Sequence, residues 1–276
     1  MKLGFVGLGV MGAPMCQNLA ARSGYPVLAF DLRGVSIPGA RSSSLTEIQE
    51  SDVVFLSLPG AAEVEAVCEE LALKKGACVA DLSTTPVALA KKLHSAFETQ
   101  GVMFADAPVA RTREAAQKGT LSVMVGGSAA VFARIRPLLA CMASDITHCG
   151  GPGAGQAMKL ANNMMLFQNV VAIAEGLALA RHAGVDAALA LEVLSKGSAD
   201  SFALRNHGMK AILPGIYPER AFSTEYALKD LGYALELARE AGIDLSGARN
   251  ARDLLQKSRD AGFGAEYFPA LAKVVS

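Results

Sequence analysis

The sequence predicts a chain in two parts, an α/β domain on a mostly parallel sheet followed by an all-α domain. Three observations carry this. Short apolar runs alternate with helical stretches through the first half, the pattern of strands joined by helical crossovers. The run Gly150-Gly151-Pro152-Gly153 then breaks the chain near its middle. Beyond it, helical periodicity continues to the C-terminus without a further strand pattern. The domains are therefore drawn at 1–151 and 152–276.

Taken in order, Lys2–Val6, Val27–Phe30, Val53–Leu58, Cys78–Leu82, Met103–Ala105 and Leu121–Val125 read as strands. Each is apolar at consecutive positions and closed by Gly, Asp, Pro or Ser, as suits a parallel sheet covered on both faces. In the second half, the stretch from about 154 to 183 makes a helix of ~30 residues, or ~45 Å at 1.5 Å per residue. That is far beyond the mean of ~11–12 residues, so it runs through the centre of a helical domain or an interface. Gly184 supplies its stop.

Composition narrows the function. Apolar residues make up 51% and charged residues 19%, against roughly 25% charged in an average domain, which indicates a large buried fraction and some buried subunit surface. Lys plus Arg number 26 and Asp plus Glu 26, so no net field draws nucleic acid or an anionic membrane. The opening MKLGFVGLGVMG lacks a signal-peptide pattern, and the long helix carries Lys159, Asn162, Asn163, Gln168, Asn169, Glu175 and Arg181, too many polar groups for a bilayer span. Cys16, Cys68, Cys78, Cys141 and Cys149 have no metal-type spacing and read as reduced thiols in a cytoplasmic protein. His94, His148, His182 and His207 are scattered, so no metal is expected, and methionines such as Met164 and Met165 read as core filler.

Gly7-Leu8-Gly9-Val10-Met11-Gly12 fits G-x-G-x-x-G between an apolar run and a helical pattern. In that setting Gly7 permits the tight turn, Gly9 lets the backbone approach a pyrophosphate, and Gly12 lets helix and strand pack closely. Asp31 ends the second apolar run, 19 residues after Gly12, where a carboxylate accepts from ribose hydroxyls and favours NAD over NADP. Arg33 complicates this, because a nearby guanidinium could hold a 2′-phosphate; Asp31 could also be a simple turn residue. Leu58, Pro59, Ser83 and Thr84 leave two further strand ends and are candidates to border ribose and nicotinamide.

Gly153 to Asn163 opens the long helix. Lys159 and Asn163 are four apart and share a face, with Asn162 beside them. An ammonium and amides on one cleft suit an oxygen that exchanges a proton while hydride moves. A hydrogen-bonded helix start at an interface is the plainer alternative.

Five motifs in order resemble the β-hydroxyacid dehydrogenase family, which includes 3-hydroxyisobutyrate dehydrogenase and tartronate semialdehyde reductase. They are Gly7–Gly12; Asp81-Leu82-Ser83-Thr84 with Pro86; Asp106-Ala107-Pro108-Val109 with Gly119-Thr120-Leu121 and Met124–Gly127; Gly153–Asn163; and Phe222 with Lys229-Asp230-Leu231. The resemblance covers nearly the whole chain. It implies a Rossmann-type domain, a long interdomain helix, an all-helical C-terminal domain and a homodimer or homotetramer. It also implies Lys159 as the acid–base residue, Asn162 and Asn163 as substrate or lysine-orienting groups, and Lys229 at the nicotinamide end of NAD.

Two departures stand out. The segment from Asp31 to Val53 is shorter than the family's, so its crossover helix is reduced. The family's S-G-G after D-A-P-V is replaced by Ala110-Arg111-Thr112. Arg111 offers a fork of donors and Thr112 a hydroxyl, similar to the loop of sulfolactaldehyde reductases, family members that bind a sulfonate. Arg111 could equally hold a substrate carboxylate or pair on the surface with Glu114. The function expected is hydride transfer between NAD(H) and a small anionic hydroxyacid or semialdehyde. Sulfolactaldehyde reduction to 2,3-dihydroxypropane-1-sulfonate stands beside 3-hydroxyisobutyrate, 4-hydroxybutyrate or tartronate semialdehyde chemistry, with a non-catalytic NAD-binding module as the distant alternative.

Overall fold

The computed structural model describes residues 1–219 and 221–275, and the chain forms two compact units, Met1–Lys159 and Leu160–Ser276. The first is built on nine strands: β1 Leu3–Val6, β2 Val27–Phe30, β3 Arg41–Ser42, β4 Val53–Leu56, β5 Cys78–Asp81, β6 Met103–Asp106, β7 Val109–Ala110, β8 Leu121–Gly126 and β9 Ala143–Gly150. Their order is β3-β2-β1-β4-β5-β6-β8-β7, with β9 on β8. From β2 to β6 every pairing is parallel, and the registers Val6↔Phe30, Val6↔Leu56, Leu56↔Asp81 and Asp81↔Asp106 end these strands level with one another. The chain winds away from β1 in both directions, so the crevice that this topology reserves for ligands lies beyond these aligned carboxyl ends.

Both sheet faces are covered, which is why the strands read as unbroken apolar runs. Leu3, Phe5, Val53, Phe55, Cys78 and Ala80 cluster with Met15, Cys16 and Leu19 of α1, Gly12–Arg22. Val6, Val54, Leu56 and Val79 cluster instead with Val64 of the helix Ala61–Glu70 and with Leu93 and Phe97 of Val87–Thr99. Between β3 and β4 the crossover is a single turn, Leu45–Ile48, closed by a Ser44–Glu47 capping box, as the short segment implied. Two helices, Arg113–Lys118 and Ala129–Leu139, flank β8 in sequence.

The sequence reading misses β9. Its faces carry exposed Ser144, Asp145, Thr147 and His148, so no apolar run marks it; backbone pairing with β8 defines it instead. β8 also runs antiparallel to β6 and β7, so the sheet is mostly, not wholly, parallel.

The long helix, here αL, spans Ala154–His182. Gly184 ends it with φ +79°, the left-handed conformation of a helix stop. By length and hydropathy alone αL passes the test for a bilayer span, but Leu160, Phe167, Val170, Val171 and Leu177 on it are buried in the fold. Met165 is 60% exposed, which corrects its reading as core filler. In the second unit the remaining helices include Ala187–Leu194, a π-helical stretch Leu204–Ile212, Thr224–Glu240 and Ser246–Ser258. Its centre is aromatic: Phe167, Phe222 and Phe268 lie 5.2–5.9 Å apart, with His207 and Tyr267 against Phe268.

Candidate active site

The turn Gly7–Gly12 joins β1 to α1, and the two outer glycines are needed for its shape. Gly7 has φ +92°, and a Cβ there would lie 2.2 Å from Ser57 O; one on Gly12 would lie 2.0 Å from Gly7 O. Gly9 differs. Nothing lies within 4 Å of where its Cβ would stand, so the missing side chain leaves open space over the turn. Met11 at the N-cap makes no side-chain cap and the first turn of α1 has no acidic residue, so its leading N–H groups suit a phosphate. Val10 is exposed and Met11 half-buried beside them. The residues present therefore fit a dinucleotide pyrophosphate.

Asp31 follows β2 at the same sheet end. Its Oδ2 accepts from Leu8 N–H at 2.7 Å, tying the glycine turn to β2. Arg33 donates to it three times, from its backbone N–H and Nε to Oδ1, both at 2.9 Å, and from Nη2 to Oδ2 at 3.1 Å. These bonds, the Arg33 side chain's above all, hold the carboxyl down to about 2.

The ends of β4 and β5 are tied together, since Leu58 N–H donates to Ser83 Oγ at 2.9 Å and Ser83 N–H to Asp81 Oδ1 at 2.9 Å. Pro59 is exposed and Thr84 half-buried on these loops, while Ser83 is buried.

Two residues given no role from sequence, Asp106 and Gln156, fasten αL to this sheet end. Asp106 is buried, and its Oδ1 and Oδ2 accept from the N–H groups of Gly153 and Gln156, each at 2.8 Å. Burial pushes its carboxyl up, against the pull of these amides. The Gln156 side chain donates to Ser83 O at 2.8 Å and accepts from Thr85 N–H at 3.1 Å. A Cβ on Gly155 would meet Met124 O at 2.3 Å, so the helix start is pressed against the sheet. Lys159, half-buried, stands one turn further along αL. The available signal was a charged residue closing an apolar strand; buried carboxylates need N–H partners.

Ala110, Arg111 and Thr112 form a turn at the start of Arg113–Lys118. Ala110 is buried in β7, and Thr112 is the helix N-cap, accepting from Ala115 N–H. Arg111 has φ 86°, alone among the described non-glycine residues in that region, at a place where the family's loop has glycine. Its guanidinium donates to Thr120 O at 2.7 Å and Ser144 Oγ at 2.8 Å and pairs with Asp145 at 2.7 Å. The surface partner is thus Asp145, while Glu114 pairs with Lys118.

In the second unit, buried Asn163 donates to Oδ2 of buried Asp230 at 2.8 Å and accepts from exposed Asn162 at 3.0 Å. Lys229 Nζ lies 3.1 Å from Asp230 Oδ1 and 5.2 Å from the centre of the Tyr233 ring. Asp230 thus joins the asparagine pair to the late lysine.

Residues 2–151 match the family model described as the NAD binding domain of 6-phosphogluconate dehydrogenase. Residues 153–275 match that described as NAD-binding of NADP-dependent 3-hydroxyisobutyrate dehydrogenase. The chain is 35% identical to 2-(hydroxymethyl)glutarate dehydrogenase of Eubacterium barkeri, covering 99% of this chain and 94% of that one. It is 35% identical to 2-hydroxy-3-oxopropionate reductase of Escherichia coli, over 92% and 90%. A crystal structure of 3-hydroxyisobutyrate dehydrogenase from Salmonella typhimurium superposes with TM-score 0.87 at 28% identity, covering 99% of each chain.

Proposed function

The chain belongs to the β-hydroxyacid dehydrogenase family and is an NAD-dependent hydroxyacid dehydrogenase, and on that premise we propose that Lys159 exchanges the proton at the substrate oxygen. NAD, when bound, accepts or supplies the hydride. The Lys159 ammonium protonates the carbonyl oxygen in reduction, and its amine takes the hydroxyl proton in oxidation. Such assistance is worth roughly 10²–10⁴-fold. What supports this reading is one observation: Asp106 and Gln156 anchor the first turn of αL, and with it Lys159, at the sheet end that carries the glycine cradle. Asn162 and Asn163, on the next part of that helix, orient the lysine or the substrate. Lys229 serves the nicotinamide end of the cofactor, and Leu58, Pro59, Ser83 and Thr84 border its ribose.

The substrate in this reading is a small semialdehyde or hydroxyacid with a carboxylate, of the 3-hydroxyisobutyrate, 4-hydroxybutyrate or tartronate semialdehyde kind. The Asp145 pairing of Arg111 supports it, because that guanidinium already holds a carboxylate. The Arg111–Thr112 pair itself favours a second reading, a sulfonate such as sulfolactaldehyde, for which Arg111 leaves Asp145. NADH oxidation with sulfolactaldehyde, succinic, tartronate and methylmalonate semialdehydes separates them. The carboxylate reading requires turnover of a carboxylate substrate by the wild type, and Arg111→Ala shows whether Arg111 holds that carboxylate (turnover lost) or stays with Asp145 (turnover retained). Turnover confined to sulfolactaldehyde and lost in Arg111→Ala transfers the assignment to the sulfonate.

The protein in this reading is a cytoplasmic homo-oligomer. Its five free cysteines and the exposed Leu179, Leu189, Val193 and Phe202 of the second unit support that placement.

A further inference from the structure

The helix Arg113–Lys118 is six residues long, too short to hold its shape alone, so the partners at its ends decide where it lies. One end opens with Thr112 as N-cap, directly after Arg111. At the other end, the last four carbonyls of a helix have no partner within it, and here each one finds a donor. Ala115 O accepts from Thr120 N–H at 2.9 Å. The remaining three are met by α1. Asn18 Nδ2 donates to Ala116 O at 2.8 Å and to Gln117 O at 3.2 Å, and Arg22 Nη2 donates to Lys118 O at 3.3 Å. Asn18 and Arg22 stand four apart on one face of α1, and Asn18 is buried, so its amide has these carbonyls rather than water as partners. Arg22 Nη1 also donates to Cys141 O at 3.1 Å, two residues before β9, the strand whose Ser144 and Asp145 hold Arg111.

One helix thus has two duties. The first turn of α1 suits the pyrophosphate, and its flank holds the helix that carries the Ala110–Thr112 turn. We propose that Asn18, seconded by Arg22, is a positioning residue for the substrate: it fixes the Ala110–Thr112 turn relative to the helix that holds the cofactor, and so sets how tightly the substrate's anionic group is bound. This rests on the reading that the turn meets that group. Because Asn18 acts through a helix and not at the reacting oxygen, its loss raises KM and leaves kcat in place.

The test is steady-state kinetics with the preferred semialdehyde beside NADH titration, for wild type, Asn18→Leu, Arg22→Ala and Thr112→Val. Asn18→Leu keeps the bulk and removes both donors; KM rises about five- to tenfold, while kcat and NADH affinity stay within about twofold of wild type. Arg22→Ala, at an exposed position that leaves the core untouched, raises KM about two- to threefold and carries the test if Asn18→Leu does not fold. In both variants the amides of residues 113–120 exchange hydrogen faster than in wild type. Unchanged KM overturns the proposal, and so does a KM rise matched by an equal loss of NADH affinity, which would mean that α1 as a whole had loosened. Thr112→Val tells the two failures apart. If it raises KM where Asn18→Leu does not, the clamp alone is wrong; if it too leaves KM unchanged, the turn does not meet the substrate.

Discussion

Gly9 and Gly12 stand three residues apart in one turn, yet their missing side chains serve different ends. Around Gly12 a Cβ would strike Gly7 O, so Gly12→Ala disrupts the turn and lowers the melting temperature by several degrees. Around Gly9 there is open space, so Gly9→Ala leaves the melting temperature of the free protein unchanged while NADH affinity falls at least about tenfold, because the methyl group enters pyrophosphate space. Calorimetry and NADH titration of both variants check this; a Gly9→Ala protein that binds NADH normally would place the pyrophosphate elsewhere. His207 makes a second case. Buried against Phe268, with Nδ1 2.6 Å from the Tyr267 hydroxyl, it is pushed down to about 4 from 6.5 by loss of solvent. The unfolded chain then takes up a proton that the folded chain refuses, so stability falls as pH drops from 6.5 toward 4, by up to about 3 kcal/mol. Urea unfolding at pH 7 and pH 5 measures that slope, which His207→Phe should flatten; an equally steep slope in the variant would assign it to other groups.

Among the elements, αL depends most on partners that the sequence hides. Asp106→Ala removes acceptors from Gly153 and Gln156 at the helix start, costing about 1–3 kcal/mol. Lys159 then loses its fixed place, so kcat falls more than NADH affinity does; Asp106→Asn, which keeps an acceptor, is milder. Steady-state kinetics with NADH titration checks both, and an affinity loss without a kcat loss would remove Asp106 from lysine positioning. The elements themselves were legible to different degrees. β1, β2, β4, β5 and β6 stand out because burial on both faces makes them consecutive apolar runs, closed in β5 and β6 by Asp81 and Asp106. β9 does not, since Ser144, Asp145, Thr147 and His148 meet solvent and its pairing is written in the backbone. The glycine turn was legible because a Cβ at Gly7 or Gly12 would strike the backbone, which fixes the spacing of those glycines. Asp145 as the partner of Arg111, and Gln156 as the tie to Ser83, depend on chain crossings of 34 and 73 residues that no local pattern records.

For the molecule as a whole, Leu179, Leu189, Val193 and Phe202 are exposed on the helical unit and are the surface proposed to be covered by a second copy. Sedimentation should therefore show a dimer or larger assembly, shifted toward monomer by Leu179→Glu combined with Val193→Glu; a monomeric wild type at micromolar concentration would contradict this. Lys159 carries the proposed proton transfer, and the most direct measurement compares Lys159→Ala with wild type in NADH titration and in turnover of the preferred semialdehyde. NADH affinity nearly unchanged, with kcat lower by at least about 10²-fold across the pH range, is the result predicted. Turnover equal to wild type would contradict it.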